Sequence, residues 1–327
     1  MHSEPQSGPR VIYEGANVIL GETHLVPGVP NFRRESVAEV WPNIAFSLKP
    51  VGIVQADAEL VIGDANTAIL FTVGRPYRRV SIDGYGSSTE WIEVRPDVLS
   101  EMVREHEPAA ESKTSTPFRI GGAPVPAGTY LAHRRARWRL ARHGISDGLA
   151  LEESALAIAA QVLSASFAVL GLSPKPATQN GERAARSLVF EVKALLNRRL
   201  GQPLALNDIS RAVHVSPYHL CRVFRETTGV PIHKYRNGLR LRVSLEMIAE
   251  PDARILDTAL ELGYANEAHF SDAFQKTFGL RPSAFRRTLR RLGSAAHGAD
   301  RMKERLGVDV DDTRIKINVP GEQRARR

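Results

Sequence analysis

Hydrophobic and polar positions divide this chain into two unlike halves. From Val11 to about Val103, short apolar runs such as IAFSLKPVGIVQ, AELVIG, AILFTVG and TEWIEV are broken by turn pairs, among them Gly63-Asp64 and Asp83-Gly84. That rhythm predicts strands of a β-barrel or sandwich. Residues 107 to 128, rich in Pro, Ser, Thr and Gly, read as a surface loop or irregular connection, and Thr129 to Gly144 is strongly basic. Leu149 to Leu170 carries Glu152 and Glu153 early and then Ala, Leu, Ile and Val at helical spacing. A face so broadly apolar needs cover, either from the barrel or from a second copy of the chain. Ser173 to Arg183, with Pro174, Pro176 and Gly181, has the composition of a linker.

Beyond it the pattern turns helical. Leu188, Val192, Leu195 and Leu196 share one face of a helix over Ser187–Leu200, with Gly201 just past its end. Helical spacing continues to about Leu292. Gly293 to Arg327 is polar, ends in GEQRARR and reads as a mobile tail. The partition expected is 1–172, 173–186 as linker, 187–292, and 293–327 as tail.

Inside 187–292 a helix, tight turn, helix unit occurs twice, at a constant shift of fifty residues, as His219 and His269 show. The first copy runs through Leu206, Ile209, Ala212, Val215, Ser216, Leu220 and Phe224 to Gly229. The second runs through Leu256, Ala259, Leu262, Ala265, Asn266, Phe270 and Phe274 to Gly279. Ala212 is expected where the two helices of the first unit cross. Ser216 and Asn266 are expected N-caps, with Pro217 at the first helical position, and Gly229 and Gly279 end the second helices in the left-handed conformation. Between the copies a helix opened by Pro231 runs through Tyr235, Leu239, Leu241, Leu245 and Ile248 and closes at Pro251. About nineteen residues at ~1.5 Å each give a rod of roughly 28 Å, near the ~34 Å repeat of duplex DNA.

Charge sharpens this picture. The chain of 327 residues has a formal net charge of +8, unevenly spread: residues 1–110 hold 9 basic and 15 acidic side chains, whereas 187–327 hold 25 and 16. A basic half joined to an acidic half implies that one of them meets a polyanion. No stretch approaches eighteen uninterrupted apolar residues and the start lacks a secretory core, so a cytoplasmic location with no membrane partner is expected. The single cysteine, Cys221, leaves no internal disulfide and no zinc site built on paired cysteines. Neither a metal nor a cofactor is expected.

The stretch from Ser187 to about Arg287 resembles the DNA-binding domain of the AraC/XylS family of transcription regulators. The resemblance rests mainly on Ala259, Gly263-Tyr264, His269-Phe270, Phe274, Gly279, Pro282 and Phe285-Arg286. It implies an α+β chain: an N-terminal cupin-like β-barrel with a helical extension, and a C-terminal all-α domain of two helix-turn-helix units. It also implies a double-stranded DNA partner, with RNA polymerase as a second partner, a small-molecule effector at the N-terminal domain, and a homodimer as further expectations.

On the first recognition helix Leu220, Val223, Phe224 and Thr227 fall inward, which leaves Tyr218, Cys221, Arg222 and Arg225 outward. Arg222 suits bidentate contact with guanine, and by resemblance Tyr218, Cys221 and Arg222 take the base-reading positions. The second helix presents Ala268, Ser271, Asp272 and Gln275 without a positive charge. Asp272 departs from the family, where arginine is common, so the first unit should supply most of the affinity. Phosphate contacts are assigned to Arg211, Arg225, Arg236, Arg240, Gln275, Arg286 and Arg287. Arg240 has a second reading, in which it holds the two units together. His219 and His269 recur at the same place in both units and read as packing or phosphate-facing residues rather than ligands.

Enzymatic readings fare worse. A catalytic cupin needs several histidines around a metal, and here His24 stands alone before His106. Trp41, Arg75, Tyr77, Arg79 and Trp91 could line an effector pocket, but aromatics on strands are more often core. The effector residues stay unassigned. Cys221 lies within the helix-turn-helix itself, so no alkyl-acceptor domain is present. The remaining rival is a DNA-binding protein without sequence preference, or one whose N-terminal domain only dimerises.

Overall fold

The computed structural model describes residues 8–26, 36–37, 41–55, 60–82, 84, 86–107, 118, 121–145, 147–172 and 179–291. Most of the expected loop at 107–128, the linker residues 173–178 and the tail from 293 lie outside the described residues.

The strand-rich half forms two antiparallel sheets. The larger, in the order β1 (Gly8–Glu14), β2 (Val18–Leu25), β8 (Ser87–Val94), β3 (Asn43–Ser47), β6 (Thr67–Phe71) and β9 (Gly122–Pro124), faces the smaller, in the order β5 (Leu60–Gly63), β4 (Val51–Gln55) and β7 (Tyr77–Ser81). Period-two alternation decides what each face buries. Ile19, Ala45, Val51, Ile53, Ile69, Phe71 and Trp91 fill the space between the sheets, with Trp41 and Tyr77 packed against them. Trp91 lies over Gly21, where any Cβ would collide with the indole, and donates to Thr23 Oγ1 at 3.0 Å. These side chains form one buried cluster, and the expected barrel is an open pair of sheets. The neighbours of Trp91 on β8, Glu90 and Ile92, turn to the opposite face, beneath helices.

Those helices are α1 (Pro96–His106), α2 (Ala127–His143) and α3 (Gly148–Leu172). The basic stretch at 129–144 is α2. Ala155, Ile158, Ala159, Val162 and Leu163 of α3 are buried in the core beneath the sheet and its neighbouring helices, which supports the packing alternative for its apolar face. Among the described residues this is the one helix long and apolar enough by composition to cross a membrane, and its buried stripe here covers protein. Helix α4 (Gln179–Arg198) starts inside the stretch expected to be linker.

The helical half continues with α5 (Leu206–Ala212), α6 (Pro217–Thr228), α7 (Ile232–Ala249), α8 (Ile255–Glu261), α9 (Glu267–Phe278) and α10 (Pro282–Arg291). Both predicted caps form: Ser216 Oγ accepts from His219 N at 3.2 Å and Asn266 Oδ1 from His269 N at 2.8 Å. Gly229 and Gly279 close their helices at φ 76° and 78°. The constant shift of fifty needs correction. It holds from Ser216 and Asn266 onward, but α5 and α8 superpose at 49, since Val213 N bonds to Ile209 O as Leu262 N does to Thr258 O. The turn of the second unit is one residue longer. Ser210, not Ala212, thus corresponds to buried Ala259 at the crossing, and Ala212 is exposed.

The two halves share one hydrophobic core, which runs from Val18, Ile44 and Ile92 through Leu239, Leu245 and Phe285. Polar contacts stitch the seam. Tyr235 on α7 donates its hydroxyl to Asp64 Oδ2 at 2.7 Å, and its carbonyl accepts from Asn66 Nδ2 at 2.7 Å. Arg242 donates to Asn66 Oδ1 at 2.6 Å and to Val125 O at 2.7 Å. Arg134 of α2 lies between Glu90 and Glu246, with its Nε 2.5 Å from Glu246 Oε1.

Candidate nucleic-acid interface

Each recognition helix is held by its apolar stripe and shows its other side to solvent. On α6, Leu220, Val223 and Phe224 are buried, with Phe224 edge-on to Tyr235 at 5.5 Å, while Cys221, Arg222 and Arg225 are exposed and Tyr218 is 79% exposed. Arg222 forms an i,i+4 pair with Glu226 at 3.0 Å. Such a solvent-facing pair is worth a fraction of a kcal/mol, about 0.3–0.5, so it orients the guanidinium without committing it. On α9, Phe270, Phe274 and Phe278 are buried in an edge-to-face ladder, Ser271 is half-buried, and Ala268, Asp272 and Gln275 are exposed. The rod between them, α7, has 18 residues. At ~1.5 Å per residue it spans about 27 Å.

The arginines assigned to phosphate divide into two groups. Arg211, Arg225 and Arg287 are exposed; Arg211 makes a 3.2 Å pair with Asp208 within its own helix. Arg236 instead donates to the carbonyls of Arg199 (3.3 Å), Gln202 and Leu204 (3.5 Å), closing the α4–α5 connection onto α7. Arg240 donates to Leu200 O at 2.9 Å and Gly263 O at 3.4 Å, and its guanidinium lies 5.8 Å from the Tyr264 ring centre. Burial and the neighbouring Arg240 hold the Arg236 pKa below the usual arginine range. Arg286 caps the α7–α8 turn through Ala253 O. The guanidinium groups of Arg236, Arg240 and Arg286 thus bind backbone carbonyls within the domain. Tyr264, buried and pushed up to about 12, donates to Asn237 Oδ1 at 2.7 Å and ties the second unit to the rod.

His219 and His269 use their backbone amides as cap donors, and the His269 ring meets Tyr264 edge-on at 5.4 Å. Among the described residues no cluster of three or more His, Cys, Asp or Glu is placed to hold a metal. The residues that sequence reasoning missed are Asp64, Asn66, Glu90, Arg134 and Glu246, which join the halves. Glu90 is held well below the carboxylate range by Arg134, Arg137 and His133 against the penalty of burial, and that burial keeps the His133 pKa down. Nothing local in sequence marks them, because the partners they meet across the seam lie more than a hundred positions away.

Two capped, aromatic-backed recognition helices at the ends of one rod define a tandem helix-turn-helix domain. Residues 209–288 match the helix-turn-helix domain family. The Msm operon regulatory protein of Streptococcus mutans is 27% identical over 111 residues, which are 34% of this chain and 40% of that protein. The right origin-binding protein of Escherichia coli K12 is 35% identical over 104 residues, 31% of this chain and 35% of its own length. A solved transcriptional regulator from Chromobacterium violaceum, described as an AraC-type DNA-binding domain-containing protein, is 25% identical, with 34% of this chain and 98% of that chain covered and a TM-score of 0.32. The match to each curated relative thus covers less than half of that relative's length. By these matches residues 209–288 form a helix-turn-helix domain similar to those of DNA-binding regulators.

Proposed function

We propose that the chain is a sequence-specific DNA-binding transcription regulator that reads two successive major grooves of double-stranded DNA. The carrying observation is the pair of exposed recognition faces fixed by buried aromatics at the two ends of α7. The names of the relatives, an operon regulatory protein and an origin-binding protein, support that class. Tyr218, Cys221 and Arg222 on α6, with Ala268, Ser271 and Asp272 on α9, face base edges; Arg211, Arg225, Gln275 and Arg287 face phosphates. Residues 1–172 act as the sensory half, a small molecule as its effector and RNA polymerase as the downstream partner. The protein works in the cytoplasm, as a homodimer, and carries out no catalysis.

Genomic footprinting of the purified protein tests the class. A defined protected site supports it, and uniform protection at moderate salt points to a nonspecific binder. Within that site, Arg222→Ala should cost about 1–3 kcal/mol of binding and relax sequence preference, whereas Asp272→Ala should leave affinity equal or tighter, because an anion is removed from a polyanion interface. Equal losses in a gel-shift series would sink the asymmetry between units.

A further inference from the structure

A cavity of about 860 Å³ opens between the smaller sheet, α4 and the first recognition helix. Its volume falls within the roughly 300–1,000 Å³ range of small-molecule sites. Leu60 of β5 and Leu188 and Phe190 of α4 give it apolar walls, and Val223 and Thr227 of α6 close it on the DNA-binding side. Besides His219, its titratable and charged side chains are Glu182, Arg186, Lys193, Arg222, Glu226 and the Tyr235 phenol. Two ion pairs line it where solvent enters, Glu182 with Arg186 on α4 and Arg222 with Glu226 on α6. At the inner end lies Lys193, whose ammonium donates to Thr67 Oγ1 at 3.2 Å and stands 5.1 Å from the Tyr235 ring centre.

Lys193 is enclosed by protein yet keeps some accessible surface, as a group lining a cavity does. An ammonium has three donors, and one serves Thr67. The nearby Asp64 carboxylate is already taken up by neutral donors: the Tyr235 hydroxyl, Asn197 Nδ2 at 3.0 Å and the Asn66 amide at 2.9 Å. Burial lowers the Lys193 pKa while Asp64 opposes that shift, so the surroundings solvate the ammonium poorly. A cation so placed gains most from an anion brought in on an apolar carrier.

We propose that this cavity binds a small apolar molecule with one anionic head, the head seated on Lys193 and the body packed between β5, α4 and the flank of α6. This deepens the regulator reading by giving the effector a place and a chemistry. The body of such a ligand touches the helix that carries Arg222, so occupancy and base reading are coupled through one element with no long pathway.

The test uses the intact protein and two dyes, 8-anilinonaphthalene-1-sulfonate, apolar with an anionic head, and N-phenyl-1-naphthylamine, its uncharged counterpart. Fluorescence titration should give one saturable site for the anionic dye. Lys193→Met should weaken that dye at least tenfold and leave the neutral dye unchanged, and Lys193→Arg should restore it. Ala185→Trp, which fills the cavity beside α4, should abolish both, with near-ultraviolet circular dichroism confirming that each variant is folded. Undiminished binding of the anionic dye to folded Lys193→Met, or of both dyes to folded Ala185→Trp, overturns the proposal. Should Lys193→Met fail to fold, Lys193→Gln takes its place in the same comparison. No DNA enters the titration, so its failure is separate from failure of the footprint.

Discussion

Glu93 on β8 is a carboxyl whose environment works against its charge. Burial raises it from its ordinary value of 4.5 to about 7, and the hydrogen bond with Asn43 offsets only part of that. The folded state therefore keeps a proton there that the unfolded chain releases. The stability from this site is whole below about pH 4.5 and is lost as pH rises through 7. Discounted for its partial exposure, the loss is about 2 kcal/mol by pH 8. Glu93→Gln should accordingly raise the unfolding midpoint at pH 8 and leave it nearly unchanged at pH 5. A gain of equal size at both pH values would show that packing, not ionisation, is responsible. At this scale the sequence was readable where chemistry is local: Ser216, Asn266, Gly229 and Gly279 cap as their residue types demand. Arginines were not separable that way. Arg225 and Arg236 look alike in sequence, and only the fold shows that one faces solvent while the other gathers the carbonyls of the α4–α5 connection.

Elements were legible where their periodicity is strong and their neighbours are near in sequence. The paired units and the rod between them followed from apolar spacing alone, yet their alignment was off by one in the turn, because Ile209 and Ala259 are equally acceptable on an apolar face. Backbone geometry resolves it. His214, at φ 55°, occupies the place that Gly263 holds at φ 75°. A left-handed residue with a Cβ costs about 1 kcal/mol or more, and only glycine escapes it. His214→Gly should therefore stabilise the first unit by about 0.5–1 kcal/mol in denaturant unfolding, whereas Gly263→Ala should destabilise by more than ~2 kcal/mol. The second effect is larger because a Cβ at 263 would also meet the carbonyl of Gly201. If both substitutions prove neutral, the shift of 49 between the first helices loses its meaning. Ser216→Ala, which removes a cap of ordinary geometry, should cost about 1 kcal/mol.

At the scale of the whole molecule the halves share one hydrophobic core, and polar contacts close the seam between them. Sequence reading placed the halves correctly as sheets and paired helix-turn-helix units, but nothing local reveals that Arg134 on α2 reaches both β8 and α7. Arg134 is 2% exposed and lies between Glu90 and Glu246, while Arg137 meets Glu90 at 3.1 Å and Glu22 at 2.9 Å. Removing one member of such a group leaves charges buried without their partner, which costs about 3–5 kcal/mol; replacing partners together by apolar side chains of similar volume can be close to neutral. Arg134→Met should thus lower stability by about that range and split thermal unfolding into two transitions, the sheets separating from the helices. Glu90 retains Arg137 and His133, whereas Glu246 loses the two contacts that Arg134 makes through Nε and Nη2 to its carboxylate. Arg134→Met with Glu246→Met should then recover most of the loss and restore a single transition, while footprints on DNA persist because neither side chain lies on a recognition face. If the double variant is as unstable as the single one, the cost comes from lost shape rather than from an unpaired charge, and the seam is held by packing of Phe46, Tyr130 and Leu245 instead.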